Sequence, residues 1–205
     1  MLKSIYIKAF ICIFSLIFYQ TVGFSQMRLT KYELLWAFRY PKAAFKIKKE
    51  WPLIMRQYKL VMQSKALDTL ENGGKMDAFR HVYTMAYLLN YVNEDKLRKL
   101  GMAHEKGNYN QFLMHQLEFS ERPDSLATIM DLRNNEVGFE IKKAFPIFNP
   151  DSLAKVVIKQ IHQGKAWYLK RNNQKNYVSC ENEAILLSNY ANNWFIPKCL
   201  IQTNL

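Results

Sequence analysis

The sequence has few of the residues that punctuate or cross-link a chain: seven glycines, six prolines and three cysteines among 205 residues. It contains no serine nucleophile elbow, no HExxH helix and no phosphate-binding glycine-rich loop, which excludes the hydrolases and nucleotide-binding enzymes that these motifs define. It also lacks a CxxC motif and any zinc-finger spacing of cysteine and histidine. Any chemistry must therefore come from residues dispersed along the chain.

Acidic residues are also scarce, with 17 Asp and Glu against 29 Lys and Arg. Such a basic surface favours anionic partners. We expect an anionic component of the cell envelope, either phospholipid or a cell-wall fragment, and we do not expect nucleic acid. A generally solvated lysine surface is the alternative, and the sequence does not indicate an oligomeric state.

The first 26 residues are typical of a secretory signal peptide. Lys3 and Lys8 precede the apolar run at 9–19, and small residues follow near Gly23 and Ser25. The run is shorter than the roughly 20 apolar residues that span a bilayer. We therefore expect export to the periplasm or beyond, with 27–205 as one mature domain. An uncleaved N-terminal anchor, which would keep the protein on the membrane, is the alternative.

Two cysteines, Cys180 and Cys199, lie outside the expected signal peptide. An even number of cysteines in an exported protein favours a disulfide bond. The alternative is two buried thiols, because the sequence does not fix the distance between them.

Apolar residues recur at helical spacing along most of the chain, and alternating strand patterns are scarce. The pattern predicts an all-α, single-domain bundle of about seven or eight helices. Asn93 and Asn149 are expected to cap two of the helices, and Pro52 is expected to split or kink another. The expected helices are 30–39, 42–65, 76–91, 94–107, 109–119, 125–144, 150–163 and 181–193.

Three polar motifs interrupt this apolar pattern. In the first, Asp77 and His81 are four residues apart and share a helix face with Arg80. In the second, His104 and Glu105 are adjacent, so their side chains diverge by about 100° around the helix.

The third motif is a continuous polar stripe on one helix. Asp131, Asn134, Asn135 and Gly138 fall at positions i, i+3, i+4 and i+7. Because asparagine is a poor helix former, two in succession indicate a role other than helix stability.

The segments NGGKMDAFRHVY, AHE and MDLRNNEVG, in this order, resemble a bacterial family described as domain of unknown function DUF6973. The resemblance covers about 70–165 and implies a shared fold, but no activity. Members often have an aromatic residue and an asparagine where this chain has Thr84 and Met85. Arg133 stands where a histidine is often found, which argues against an essential ligand at that position.

These motifs predict a hydrolase-like or ligand-binding site, with the existence of an enzymatic activity left open. Such a site could use a divalent metal ion or general acid–base chemistry. The candidate catalytic and metal-binding residues are His81, His104, Glu105 and Asp131. The candidate substrate-binding residues are Asp77, Arg80, Asn134 and Asn135. The alternative is a non-enzymatic envelope or interaction protein in which the same residues form a buried structural network.

Overall fold

A computed structural model of the protein describes residues 29–117 and 121–205. The expected signal peptide at 1–26 lies outside the described residues. The end of the expected helix at 109–119 also lies outside them.

Within the described residues the chain forms six α-helices and one small sheet, so the helical class is confirmed and the expected number of helices was too high. The helices are α1 (Lys31–Arg39), α2 (Pro41–Ser64), α3 (Lys75–Leu88), α4 (Glu94–Leu113), α5 (Ser125–Ala144) and α6 (Pro150–His162). The sheet, which the sequence did not predict, pairs β1 (Trp167–Leu169) with β2 (Leu200–Gln202) in antiparallel order. None of the helices in the described ranges is both long enough and apolar enough to cross a membrane.

Side-chain caps fix where several helices begin. The side chain of Asn93 accepts a hydrogen bond from the Lys96 amide at 3.1 Å, and Asn149 accepts one from the Ser152 amide at 2.9 Å. Both caps were predicted and are confirmed. Asp124 caps α5 in the same way. These bonds satisfy amide groups that have no partner inside the first helical turn.

Helix α3 lies at the centre of the fold and packs against α2, α5 and α6. Eleven of its fourteen residues are buried, including Phe79 and Val82, which are fully enclosed. A helix that is enclosed around most of its circumference belongs to the core. Its polar residues must therefore meet polar groups on the neighbouring helices.

The crossing of α3 and α5 is close because Gly138 has no side chain. A Cβ atom at this position would lie 2.5 Å from the Val82 carbonyl oxygen. Glycine therefore permits the backbone approach that brings the polar stripe of α5 against α3.

Two expected helix breaks are absent. The helix expected to stop near Gly107 continues to Leu113, so no separate helix begins at residue 109. Gly107 instead gives room for Thr30, whose side chain would lie 2.4 Å from an added Cβ atom. Helix α2 is also not split at Pro52, because the loss of one backbone hydrogen bond does not end a helix that buries residues both before and after the proline, such as Ala43 and Ile54.

The expected helix at 181–193 was also wrong. This segment contains only a short 3₁₀ turn at Leu187–Tyr190, because its backbone bonds to neighbouring extended chain. The Ile185 amide, for example, donates to the Tyr177 carbonyl at 2.8 Å. Cys180 and Cys199 form a disulfide bond with a Cα–Cα distance of 4.7 Å, which ties this segment to the chain just before β2.

Candidate functional site

The first turn of α3 holds Asp77 in place. Gly74 caps the helix without a side chain, and Asp68 accepts a hydrogen bond from the Lys75 amide at 2.7 Å. One carboxylate oxygen of Asp77 accepts from the Gly73 amide at 2.7 Å. A negative charge at this end of a helix is favourable because it faces the positive end of the helix dipole. The other oxygen of Asp77 is left pointing along α3.

Arg80 lies beside that second oxygen. Its Nη2 atom is 2.5 Å from Asp77 Oδ1 and 3.4 Å from His81 Nε2. Its Nη1 atom donates to the Glu71 carbonyl at 3.2 Å. The helical spacing predicted that Asp77, Arg80 and His81 share one face of the helix. Their side chains are indeed adjacent.

His81 connects α3 to α5. Its Nδ1 atom is 3.2 Å from Asn135 Oδ1, and its Nε2 atom is 3.3 Å from Asp131 Oδ1 and 3.6 Å from Asp77 Oδ1. A neutral imidazole that donates from Nδ1 to Asn135 directs the lone pair of Nε2 towards both carboxylates. Asp77, His81 and Asp131, hereafter the acceptor cluster, each offer one ligand atom, and these atoms all lie within 4.8 Å of one another.

The environment of His81 disfavours its charged form. Burial lowers the pKa of His81 well below its ordinary value, and the charges of Arg80 and His104 act in the same direction. A lowered pKa favours the neutral imidazole, which is the form that binds metals and accepts protons.

The acceptor cluster is largely enclosed but reaches the surface at one edge. The side chains of Asp77, His81 and Asp131 are 2%, 10% and 8% exposed. Arg80 and His104 are 16% and 24% exposed, so solvent meets the cluster beside these two residues.

His104 lies next to this cluster but bonds to α1. Its ring centre is 6.5 Å from that of His81, and its Nδ1 atom is 3.1 Å from Glu33 Oε1. Burial alone would raise the pKa of Glu33, but the hydrogen bonds from His104 and Thr30 and the His104 charge outweigh burial and lower it. Glu33 therefore joins His104 to α1 as a carboxylate.

Glu105 contacts α5 whereas His104 bonds to α1, so the two side chains diverge as their adjacent positions predicted. Its Oε2 atom accepts from Thr128 Oγ1 at 2.9 Å and from Asn108 Nδ2 at 3.3 Å. Thr128 is three residues before Asp131, so Glu105 lies one helical turn along the same helix interface.

The two asparagines of α5 have different neighbours. Asn135 faces His81, whereas Asn134 exchanges two hydrogen bonds with the backbone of Trp167, at 3.0 and 2.9 Å. Asn134 therefore joins α5 to β1. The structure brings five of the eight candidates together in one group, and these are Asp77, Arg80, His81, Asp131 and Asn135.

Two partners of the candidate residues were not found from the sequence. Glu33 carried a recognisable signal, because Thr30 and Glu33 form a capping box in which each side chain bonds to the other residue's backbone. Thr128 carried none, because its contact with Glu105 joins residues that are distant in sequence.

A family profile described as Domain of unknown function (DUF6973) matches residues 35–165, which is more than half of the chain. The chain belongs to the DUF6973 family. No curated protein and no solved structure matches it. The acceptor cluster lies wholly inside the DUF6973 region, whereas β1, β2 and the disulfide follow it.

Proposed function

We propose that the acceptor cluster binds one divalent cation and that the DUF6973 domain uses this ion to hydrolyse an anionic substrate. The observation that carries the proposal is the convergence of His81 Nε2 with one carboxylate oxygen each from Asp77 and Asp131. Like-charged acceptors brought together in a buried site are costly unless a cation lies between them.

The spacing of the imidazole nitrogen from each carboxylate oxygen suits a single ion. Ligands held at about 2.0–2.2 Å around a tetrahedral ion lie roughly 3.3–3.6 Å apart. The distances from His81 Nε2 to the two carboxylate oxygens are 3.3 and 3.6 Å. A donor set of one imidazole and two carboxylates favours Zn²⁺, Mn²⁺ or Fe²⁺, because calcium prefers oxygen ligands alone.

Asn135 supports the proposed ligand in the manner usual for metal-binding histidines. Such a histidine donates its second ring N–H to an oxygen, which fixes the ring and its tautomer. Asn135 Oδ1 provides that oxygen at 3.2 Å from Nδ1.

Arg80 contributes a positive charge to the site and competes with the proposed ion for Asp77. A bound divalent cation would add two positive charges beside the guanidinium of Arg80. Positive charge at the site attracts an anionic substrate, and a bound metal ion lowers the pKa of a bound water so that it can attack. Arg80 also shares Asp77 Oδ1 with the proposed ion, so it must shift when the ion binds.

Calorimetric titration of EDTA-treated protein with Zn²⁺ and Mn²⁺ tests the binding step. We expect one ion per chain, with binding lost in Asp131→Asn and His81→Gln. The matched controls are His104→Gln and Glu105→Gln, which change a nearby histidine and a nearby acid and should keep binding. Saturable binding that survives in Asp131→Asn would place the ion elsewhere.

Hydrolysis is tested separately with p-nitrophenyl phosphate, bis-p-nitrophenyl phosphate and the neutral ester p-nitrophenyl acetate. We expect metal-dependent turnover of an anionic substrate that Asp131→Asn abolishes. Metal binding without turnover of any of the three would favour a structural ion.

The alternative function is a non-enzymatic envelope or interaction protein. It is favoured by the contacts of Asn134 with Trp167 and of Glu105 with Thr128, since each joins two elements of the fold. Under this alternative the protein binds no cation and Asp131→Asn unfolds it.

We also propose that the protein is exported, on the basis of the sequence of 1–26 and the disulfide bond between Cys180 and Cys199. Mass measurement of protein recovered from the periplasm or medium should give a chain that begins near residue 27. Recovery from the cytoplasm alone would contradict export.

A further inference from the structure

Large apolar side chains protrude from the N-terminal helix pair. Leu35, Phe38 and Phe45 are 66%, 74% and 70% exposed, although α1 and α2 bury Trp36 and Ala43 in the core. Several exposed side chains of this size on two consecutive helices are more typical of an interaction site than singly scattered apolar residues, which are normal. They are referred to here as the apolar patch.

Basic residues are frequent in the segment that carries the patch. Between residues 31 and 49 the sequence has six basic residues and one acidic residue, Glu33, which is buried against His104. A groove of about 610 Å³ on this face is lined by Phe45 and by Lys42, Lys46 and Lys49. The one acidic residue that lines it, Glu50, accepts a hydrogen bond from the Tyr87 hydroxyl. The basic residues are Lys31, Arg39, Lys42, Lys46, Lys48 and Lys49.

We propose that this outer face of α1 and α2, hereafter the docking face, binds the surface of an anionic phospholipid membrane. Exposed Phe and Leu side chains beside several lysines characterise helices that lie in the membrane interface. The apolar side chains enter the boundary between headgroups and acyl chains, while lysine stems extend so that their ammonium groups reach the lipid phosphates.

The positive charge of the docking face favours an anionic membrane over a second copy of this chain as the partner. The docking face would meet an identical basic face in a symmetric dimer, and like charges across an interface are unfavourable. An anionic lipid surface instead supplies the complementary charge over the whole face. The proposal is independent of the acceptor cluster and does not need it to bind metal.

Vesicle sedimentation tests the role of charge, with protein isolated from cells that express the full chain. The probes are phosphatidylcholine vesicles with and without phosphatidylglycerol. We expect binding only to the anionic vesicles, weakened roughly thirtyfold or more in the double variant Lys42→Glu/Lys49→Glu. The matched control, Lys155→Glu/Lys159→Glu, makes the same charge change on an exposed face of α6 and should bind as the wild type does.

Insertion is tested by fluorescence, so that an apolar segment at 1–26 cannot account for the result. The four native tryptophans set a baseline, and Phe38→Trp should add a component of the emission that brominated lipid quenches in anionic vesicles. Leu186→Trp, at another exposed apolar position, should not be quenched. Equal binding to both vesicle types by all variants, or no quenching at position 38, would overturn the proposal. Dimerisation abolished by Phe38→Ser, without vesicle binding, would overturn it in favour of a second copy.

Discussion

Two buried ionic groups involve aspartates of the same helix region, and they are built in opposite ways. Asp124 caps α5 and pairs with Lys198, whereas Asp131, two turns later, joins the acceptor cluster. The side chains of Lys198 and Asp124 are 2% and 1% exposed, and Lys198 Nζ lies 2.6 Å from Asp124 Oδ2. There, one cation meets one anion.

The acceptor cluster is built differently. It brings two carboxylates and the Nε2 atom of a neutral imidazole together, with Arg80 as the neighbouring cation. The comparison teaches that burial alone does not distinguish a structural ion pair from a binding site. Under the proposed function the two groups differ in the number of ligand atoms that converge, because three such atoms can hold an ion from solution.

The largest expected effect on stability comes from breaking the ion pair between Lys198 and Asp124. Lys198→Met should lower the free energy of unfolding by about 3–5 kcal/mol, because Asp124 is left as a buried charge without its cation. Denaturant unfolding measures the loss. The matched control is Lys143→Met, which breaks an exposed pair with Glu94 and should cost less than about 1 kcal/mol. Equal effects in the two variants would contradict the distinction.

Removing one acceptor from the cluster should have a smaller and conditional effect. With cation at about 100 times its dissociation constant, the wild type should gain about 2.7 kcal/mol in the free energy of unfolding, and Asp131→Asn should gain none. Without cation the two proteins should unfold at similar denaturant concentrations, because the substitution relieves repulsion. A large loss without cation would show that Asp131 is structural.

Arg80→Gln tests the acceptor cluster by removing its neighbouring cation instead of one of its acceptors. The variant removes the guanidinium that competes for Asp77 Oδ1, so the melting temperature should fall in EDTA. Added cation should then raise it by more than it raises that of the wild type. An equal cation effect in both proteins would indicate that Arg80 does not compete for the site.

The approach of α3 and α5 should have an effect of about 1–3 kcal/mol. Gly138→Ala places a Cβ atom 2.5 Å from the Val82 carbonyl, which forces the helices apart and overpacks the crossing. At Gly101 the nearest atom to an added Cβ is a side-chain atom, the amide nitrogen of Asn135 at 2.8 Å, and not backbone, so Gly101→Ala should destabilise less. An increase in stability for Gly138→Ala, as expected from helix propensity alone, would contradict the close crossing.

The smallest effect is expected at Glu33, the partner of His104. Because the pKa of Glu33 is below its ordinary value of 4.5, its contribution to stability is complete above the unfolded-state pKa and is lost as the pH falls through the folded-state pKa. Glu33→Gln should therefore cost about 1 kcal/mol at neutral pH and almost nothing in strong acid. Denaturant unfolding of both proteins between neutral and strongly acidic pH checks the direction of this change. A difference in the free energy of unfolding that does not vary with pH would contradict the prediction.

Much of the helical body could be read from local patterns. The caps at Asn93 and Asn149 and the grouping of Asp77, Arg80 and His81 depend on residues within one helical turn, and the structure has them. The errors came from tertiary contacts, since Gly107 accommodates Thr30 instead of ending a helix.

The candidate site shows the same division. Its residue types lay in three short motifs, but the stripe on α5 did not reveal that Asn134 would bond to Trp167 while Asn135 faced His81. Neighbouring positions on a helix face can contact different elements, and only the packing of those elements decides which.

The sequence by itself determined the helical class, the basic charge and the family, because hydrophobic periodicity, composition and short motifs are local properties of the chain. The tertiary structure alone decided that Asp77 and Asp131 meet at one imidazole. The residues lie on separate helices, and the distance between them depends on how closely Gly138 lets those helices cross.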